Sequence, residues 1–233
     1  MKAFLLAAGV GSRLRPLTDT TPKPMLVIDD RPLLDIWLDA FDQAGVDEVL
    51  INLHHLPDVI RRHVARRSGP PAVRLVFEPE LLGSAGTLLS NRQWVSGDEL
   101  FLACNADNLT DFDLRCLIEA HKSHACVATL TVFRSENPSA GGVVEIDATG
   151  RVIGFVEKPS KPVSDLTNAG LYAFRPRVID EIEGVPPNDI GYHLLPRLIG
   201  RARAIPIDGY FRDIGTAEAY RRAREEWPLR ALR

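Results

Sequence analysis

The sequence predicts an α/β protein built on a mainly parallel sheet. Three observations carry that expectation. Short apolar runs of strand length recur at residues 4–8, 48–53, 73–77, 99–104 and 129–133. Amphipathic segments of helical period lie between the early ones, an alternation that implies right-handed βαβ units. A glycine loop follows the first run at once, as expected where a parallel sheet presents the carboxyl ends of its strands to a ligand.

The chain has 233 residues, enough for a substantial core, with 45% hydrophobic and 25% charged residues. A net charge of −3 argues against a broad nucleic-acid footprint. No apolar run approaches the ~20 residues of a membrane span, and the N-terminus lacks a basic region followed by a long apolar segment. A cytosolic location without a membrane partner is expected. Cys104, Cys116 and Cys126 are an odd number without close metal-type spacing, so free thiols are expected.

The first run, FLLAA at 4–8, is too short for an ordinary helix and reads as a buried strand. Gly9 and Gly11 follow; alone they would mark only a turn, but Arg13, Arg15 and Lys23 add phosphate-binding charge within one loop. Glycines, two arginines and a lysine after a first strand read as a triphosphate site. Neither familiar nucleotide loop fits: the third glycine of the dinucleotide fingerprint is replaced by Leu14, and a Walker A loop needs Gly-Lys-Ser/Thr where Gly11 is followed by Ser12 and Arg13.

Residues 35–44 are amphipathic and stop at Gly45. A strand is expected over 48–53, then a helix over 57–67 whose Arg61, Arg62, Arg66 and Arg67 form a solvated face. After the strand at 73–77 comes EPELLGSAG, with small residues able to admit a flat base and a helix able to begin over 87–91. The strand at 99–104 delivers Asn105, Ala106 and Asp107 to its C-terminal end. A carboxylate there, near phosphates, suits Mg²⁺.

Beyond the strand at 129–133, GGVVEID, a turn over 148–150 and RVIGFVEKP read as a hairpin. Thr216 is placed to cap a helix over 217–226. His54 and His55 are adjacent and would point to opposite strand faces; His121 and His124 could share a helix face but have no evident third ligand, so no zinc site is expected.

The pattern LAAGxGxRLxPLT followed by PKPM, with GSAG, FVEKP, TNAGLYAF and FRDIGT, resembles the sugar-1-phosphate nucleotidyltransferases, and most of all short guanylyltransferases of mannose- or heptose-type 1-phosphates. The resemblance runs from Lys2 to about Arg224. It implies a Rossmann-like, mixed open sheet flanked by helices, with an inserted sugar-binding hairpin. Residues 1–133 would form the nucleotide-binding part and 134–233 the sugar-binding part of one domain, with no left-handed β-helix domain following.

The implied chemistry joins a sugar 1-phosphate to a nucleoside triphosphate and releases pyrophosphate. Arg13 and Lys23 would be catalytic. Leu6, Ala8, Gly9, Gly11, Ser12, Arg13, Glu78, Gly83 and Ser84 would bind the nucleotide; Asn105, Gly142, Glu157, Lys158 and Asn168 the sugar phosphate; Asp107 and Asp213 would hold Mg²⁺. Ala106 departs from the glycine the family usually has before the aspartate. GTP is the favoured nucleotide, with uridylyl or thymidylyl transfer as the alternative, and relatives suggest a homo-oligomer such as a dimer. A regulatory relative would be expected to lose Lys23, Lys158 or an aspartate, and all are present.

Overall fold

The structure, a computed structural model, describes residues 1–227. In chain order its principal elements are β1 (Lys2–Leu6), α1 (Leu33–Gln43), β2 (Glu48–Leu53), α2 (Pro57–Val64), β3 (Ala72–Phe77), α3 (Ser84–Ser90), β4 (Phe101–Asn105), β5 (Asn108–Thr110) and α4 (Leu114–Lys122). There follow β6 (Ala128–Arg134), β7 (Gly142–Ile146), β8 (Val152–Glu157), β9 (Leu166–Phe174), β10 (Ala202–Pro206), β11 (Phe211–Asp213) and α5 (Ala217–Glu226).

Nine strands form one mixed sheet along the path β8-β7-β9-β4-β1-β2-β3, with β6 pairing β9 and β10 alongside. β1 pairs in parallel with β2 and β4, and β2 with β3, as the βαβ pattern predicts. The long β9 then enters antiparallel against β4 and β6. The second half of the chain is thus woven into the same sheet, and the expected hairpin forms as β7 and β8.

The strands alternate their side chains between two apolar layers. Ala3 and Leu5 of β1 face one core with Trp37 and Phe41 of α1 and Leu117 of α4. Phe4 faces the other with Leu88 of α3 and Phe101 of β4, its ring edge-on to Trp94 and to Phe101. Among the described residues no helix is long and apolar enough to cross a membrane.

Among the boundaries that differ from the pattern, three do so for evident physical reasons. β1 ends at Leu6 because the next amide, Ala7 N–H, donates to the Asn52 side chain at 2.7 Å. α2 stops at Val64, and Arg67 turns back to the carbonyls of Gly69 and Pro70. α3 begins at Ser84, earlier than expected, because Gly83 turns the chain at φ 77° and the Asn188 carbonyl accepts from Ala85 N–H (2.9 Å) and Gly86 N–H (3.1 Å). Those are first-turn donors that a helix start leaves without intrahelical partners. Thr216 caps α5 as expected, its hydroxyl accepting from Ala219 N–H at 3.2 Å.

Candidate active site

At the carboxyl ends of β1, β2 and β4 the chain leaves a cavity of about 430 Å³, lined by Leu6, Ala8, Gly9, Lys23, Glu78, Gly83, Ser84, Asn105 and Asp107 among others. A second cavity of about 720 Å³ lies beside it over β7, β8 and β9, lined by Arg13, Gly142, Glu157, Lys158, Asn168 and Asp213. The two share Ser84, Asn105, Asp107 and Asp189. They are adjoining halves of one cleft.

The loop after β1 is shaped by its glycines. Gly11 has φ 72°, and a Cβ there would lie 2.8 Å from Thr18 Cγ2, while the Thr18 hydroxyl donates to the Gly11 carbonyl at 2.8 Å. This tight turn brings the Pro22-Lys23-Pro24 segment under the loop: a Cβ on Gly9 would be 3.7 Å from Lys23 Nζ. Gly11 and Ser12 themselves line neither cavity. Arg15 is exposed and pairs with Asp19 at 3.3 Å, so it is withdrawn from the phosphate role its charge suggested. Leu14, at the missing third glycine, is fully buried in the core.

Lys23 Nζ donates to Asp107 Oδ2 at 2.7 Å at the seam between the cavities, both side chains largely shielded. β11 pairs with β5 so that Asp213 lies opposite Asn108, and Ile214 N–H donates to the Asp107 carbonyl at 2.8 Å. Two aspartates 106 positions apart in sequence thereby meet at the end of one short antiparallel ladder. Asp213 opens toward the cleft, yet protein packed around it removes enough water to raise its carboxyl above the ordinary range. Asp107 pushes it further up, and Lys23 and Arg13 pull it back. Among the described residues no cluster of three or more His, Cys, Asp or Glu gathers as a metal centre, so an ion here would rest on these two carboxylates and on ligand oxygens.

Glu78 is almost wholly buried. Its Oε1 accepts from Asn52 Nδ2 (2.9 Å) and the Thr87 hydroxyl (2.6 Å), and its Oε2 takes only a long bond, 3.3 Å, from Leu82 N–H. The carboxylate is therefore rigid, with acceptor capacity left toward the smaller cavity.

In the larger cavity, Asn168 Nδ2 donates to the Tyr172 hydroxyl at 2.7 Å, across a bulge between Asn168 and Tyr172 in the pairing of β9 with β6. Gly170, at φ 75° within it, fits because a Cβ would collide with the Asn105 side chain. Asn108 Nδ2 secures the bulge by donating to the Ala169 carbonyl at 2.6 Å. Lys158 adopts φ 47°, rare for a side-chain-bearing residue, where β8 ends beside the cavity. Burial raises the Glu157 carboxyl, as does the nearby Asp189 charge, while Lys158 lowers it. The Tyr172 phenol is likewise raised, chiefly by burial.

Two of the histidines hold loops. His54 and His55 lie beyond β2 and bond the carbonyls of Glu78 (2.8 Å) and Thr18 (2.6 Å); His121 is buried in α4 and His124 lies past its end. Cys104 and Cys126 are buried and Cys116 exposed, all as free thiols. Sequence reasoning missed Asn52, Asn188 and Asp189. A signal for the last existed in the Asn-Asp-Ile-Gly run: Asp189 caps a short turn by accepting from Gly191 N–H.

Residues 2–228 match the family model described as Nucleotidyl transferase. The chain is 35% identical over 221 residues to mannose-1-phosphate guanyltransferase beta-B of Xenopus laevis, an alignment covering 92% of this chain and 61% of that protein. It is 34% identical over 227 residues to mannose-1-phosphate guanylyltransferase 1 of Arabidopsis thaliana, covering 94% and 63%. The chain thus spans about three fifths of the length of these relatives. The crystal structure of HddC from Yersinia pseudotuberculosis has the same fold, with a TM-score of 0.81 at 24% identity over 97% of this chain and 99% of that one. HddC has also been solved in complex with GMP-PN.

Proposed function

The chain belongs to the nucleotidyl transferase family, and on that premise we propose that it transfers a guanylyl group from GTP to a mannose- or heptose-type sugar 1-phosphate in the cytosol. The observation that carries the reading is the double cleft. A glycine-loop cavity and an Asn- and Glu-lined cavity meet at Asp107, with Lys23 on the side of the first and Asp213 on the side of the second. A donor triphosphate and an acceptor phosphate must meet in just that way.

In this reading an oxygen of the sugar phosphate attacks the α-phosphorus, the bond from that phosphorus to the β-phosphate bridging oxygen breaks, and pyrophosphate leaves. The obstacle is the approach of two anions, so the protein's task is positioning and charge neutralisation. Leu6, Ala8, Gly9, Gly83 and Ser84 would form the nucleotide cradle, with Gly11 shaping the loop and Ser12 at its outer side. Arg13 would meet the departing pyrophosphate, and Lys23 the charge growing at the α-phosphate. Lys158 would hold the acceptor phosphate, with Asn105, Gly142, Glu157 and Asn168 framing the sugar.

The crowding of Asp107 and Asp213 suits a hard divalent cation, since oxygen donors of like charge are relieved by one. Mg²⁺, when bound there, would supply positive charge to the reacting phosphates.

Support for guanine comes from Glu78. Guanine presents adjacent N1–H and N2 amino donors, and a fixed carboxylate in the nucleotide cavity is a natural acceptor for such a pair. The names of the relatives and the guanine ligand of HddC point the same way. The test is pyrophosphate release in the presence of Mg²⁺, with five nucleoside triphosphates each offered glucose, mannose, heptose and amino-sugar 1-phosphates. Release with GTP and a mannose- or heptose-type acceptor is expected. Release confined to UTP or dTTP would overturn the base assignment, and silence throughout would overturn the transferase reading.

A further inference from the structure

Asp189 has no role in the assignments above, yet it is one of the four residues shared by the two cavities. Its carboxylate is held in place on both oxygens: Oδ2 accepts from the Ser84 hydroxyl at 2.9 Å and Oδ1 from Gly191 N–H at 2.8 Å. Its own N–H donates to His193 Nδ1 at 2.8 Å, and the next amide, Ile190 N–H, donates to Ser84 Oγ at 2.8 Å. Two donors, one from the turn at 189–193 and one from the start of α3, therefore fix one side chain where the two cavities adjoin.

Opposite it stands Glu157. Two glycines make room for this carboxylate: a Cβ on Gly142 would lie 2.7 Å from Glu157 Oε2, and one on Gly191 would overlap the same oxygen. Among the described residues none donates a hydrogen bond to Glu157. The acceptor cavity thus contains one carboxylate without a protein donor beside a second whose oxygens each retain accepting capacity. Half-buried acceptors of this kind call for donors from a ligand. Lys158 already stands beside the pair as a counter-charge, so neutral donors suffice.

We propose that Asp189 is a specificity-determining residue of the acceptor cavity, offering with Glu157 two carboxylates to a pair of neighbouring hydroxyls on the sugar ring. The proposal rests on the transferase reading for the identity of the ligand, and its test is chosen to be independent of turnover. Mannose 1-phosphate, its single-deoxy analogues and an amino-sugar 1-phosphate are titrated by calorimetry into the full chain holding a non-hydrolysable GTP analogue. The variants are Asp189→Asn, Asp189→Ser, Glu157→Gln and Ser84→Ala, with Asp189→Ser keeping a hydroxyl for the Gly191 amide should the amide variant fail to fold.

Loss of either Asp189 oxygen charge should weaken mannose 1-phosphate by about tenfold or more, because a site built to accept from a hydroxyl discriminates strongly. Affinity for the GTP analogue should stay within about twofold. One deoxy sugar should bind poorly to the wild type and lose nothing further in Asp189→Asn. Equal weakening of every sugar and of the GTP analogue, matched by Ser84→Ala, would show that Asp189 merely props the nucleotide loop. Tighter binding of the amino sugar, or no sugar phosphate bound by the wild type, would also overturn the proposal. A chain that binds and discriminates sugars but releases no pyrophosphate would defeat the transferase reading alone.

Discussion

Lys23 Nζ donates to Asp107 Oδ2 at 2.7 Å, so a positive charge is held in place where the two cavities adjoin. Lys23→Ala is expected to lower kcat/KM for pyrophosphate release at least ~100-fold, about 3 kcal/mol of transition-state stabilisation. A loss below about tenfold would remove Lys23 from the reacting centre. Another single residue contributes to acid sensitivity. His121 is almost fully buried, its Nδ1 meets the Thr129 hydroxyl at 3.0 Å, and its Nε2 has no partner among the described residues. Burial, aided by the Arg175 charge, lowers its pKa from 6.5 to about 4. The neutral ring is therefore favoured in the folded state: its contribution is intact above pH 6.5 and is lost as pH falls toward 4. Between pH 7 and pH 5 the wild type should lose about 2 kcal/mol from this group. Urea unfolding of wild type and His121→Leu at the two pH values measures it; equal pH sensitivity of both proteins would refute the assignment. At this scale residue type was a partial guide. Arg13 and Arg15 are identical in chemistry and two positions apart, yet Arg13 faces the cleft and Arg15 pairs with Asp19. Which one turns inward depends on backbone direction, which charge alone does not encode.

At the scale of elements, the start of α3 is set by a contact from more than a hundred residues away. Gly83, at φ 77° and ψ 164°, occupies a region open essentially to glycine, and a Cβ there would overlap the Asn188 carbonyl oxygen. Gly83→Ala should destabilise the fold by at least about 2 kcal/mol and abolish detectable binding of a GTP analogue. Gly45 is the internal comparison: its φ is 72° but its Cβ position is open space, so Gly45→Ala should cost only about 1–2 kcal/mol and spare binding. Chemical denaturation and calorimetry of both variants separate backbone strain from collision. The β9 bulge behaves similarly. Gly170→Ala should displace Asn105 and Asn168 together and weaken sugar-phosphate affinity about tenfold or more, while affinity for the GTP analogue changes less. Titration of each ligand checks this, and parallel losses would count against a local effect. The hairpin of β7 and β8 and the helix α5 were legible because their turn and cap residues lie within a few positions of one another. The early start of α3 was not, since the Asn188 carbonyl that stabilises it has no counterpart in the local pattern.

Across the whole molecule, the parallel strands β1 to β4 and the antiparallel β6 to β9 form one continuous sheet. The parallel part, its loop and the aspartate at the end of β4 could be read from alternation and from short motifs, because each is encoded within about 30 residues. The meeting of Asp107 with Asp213 was anticipated by resemblance alone; the register of β11 on β5 that produces it follows from tertiary packing. Asp189 escaped for the same reason, since its partner Ser84 is 105 positions earlier. The clasp of the Asn188 carbonyl on the amides of Ala85 and Gly86 also has a consequence in time. Synthesis proceeds from the N-terminus, and residues 1–133 emerge carrying the glycine loop, Lys23 and Asp107 but neither the strand that covers β4 nor the carbonyl that seats α3. A nascent chain halted before Asn188 would therefore lack the carbonyl that seats the first turn of α3, and the cavity beside the glycine loop would take its final shape abruptly, only once that residue had emerged.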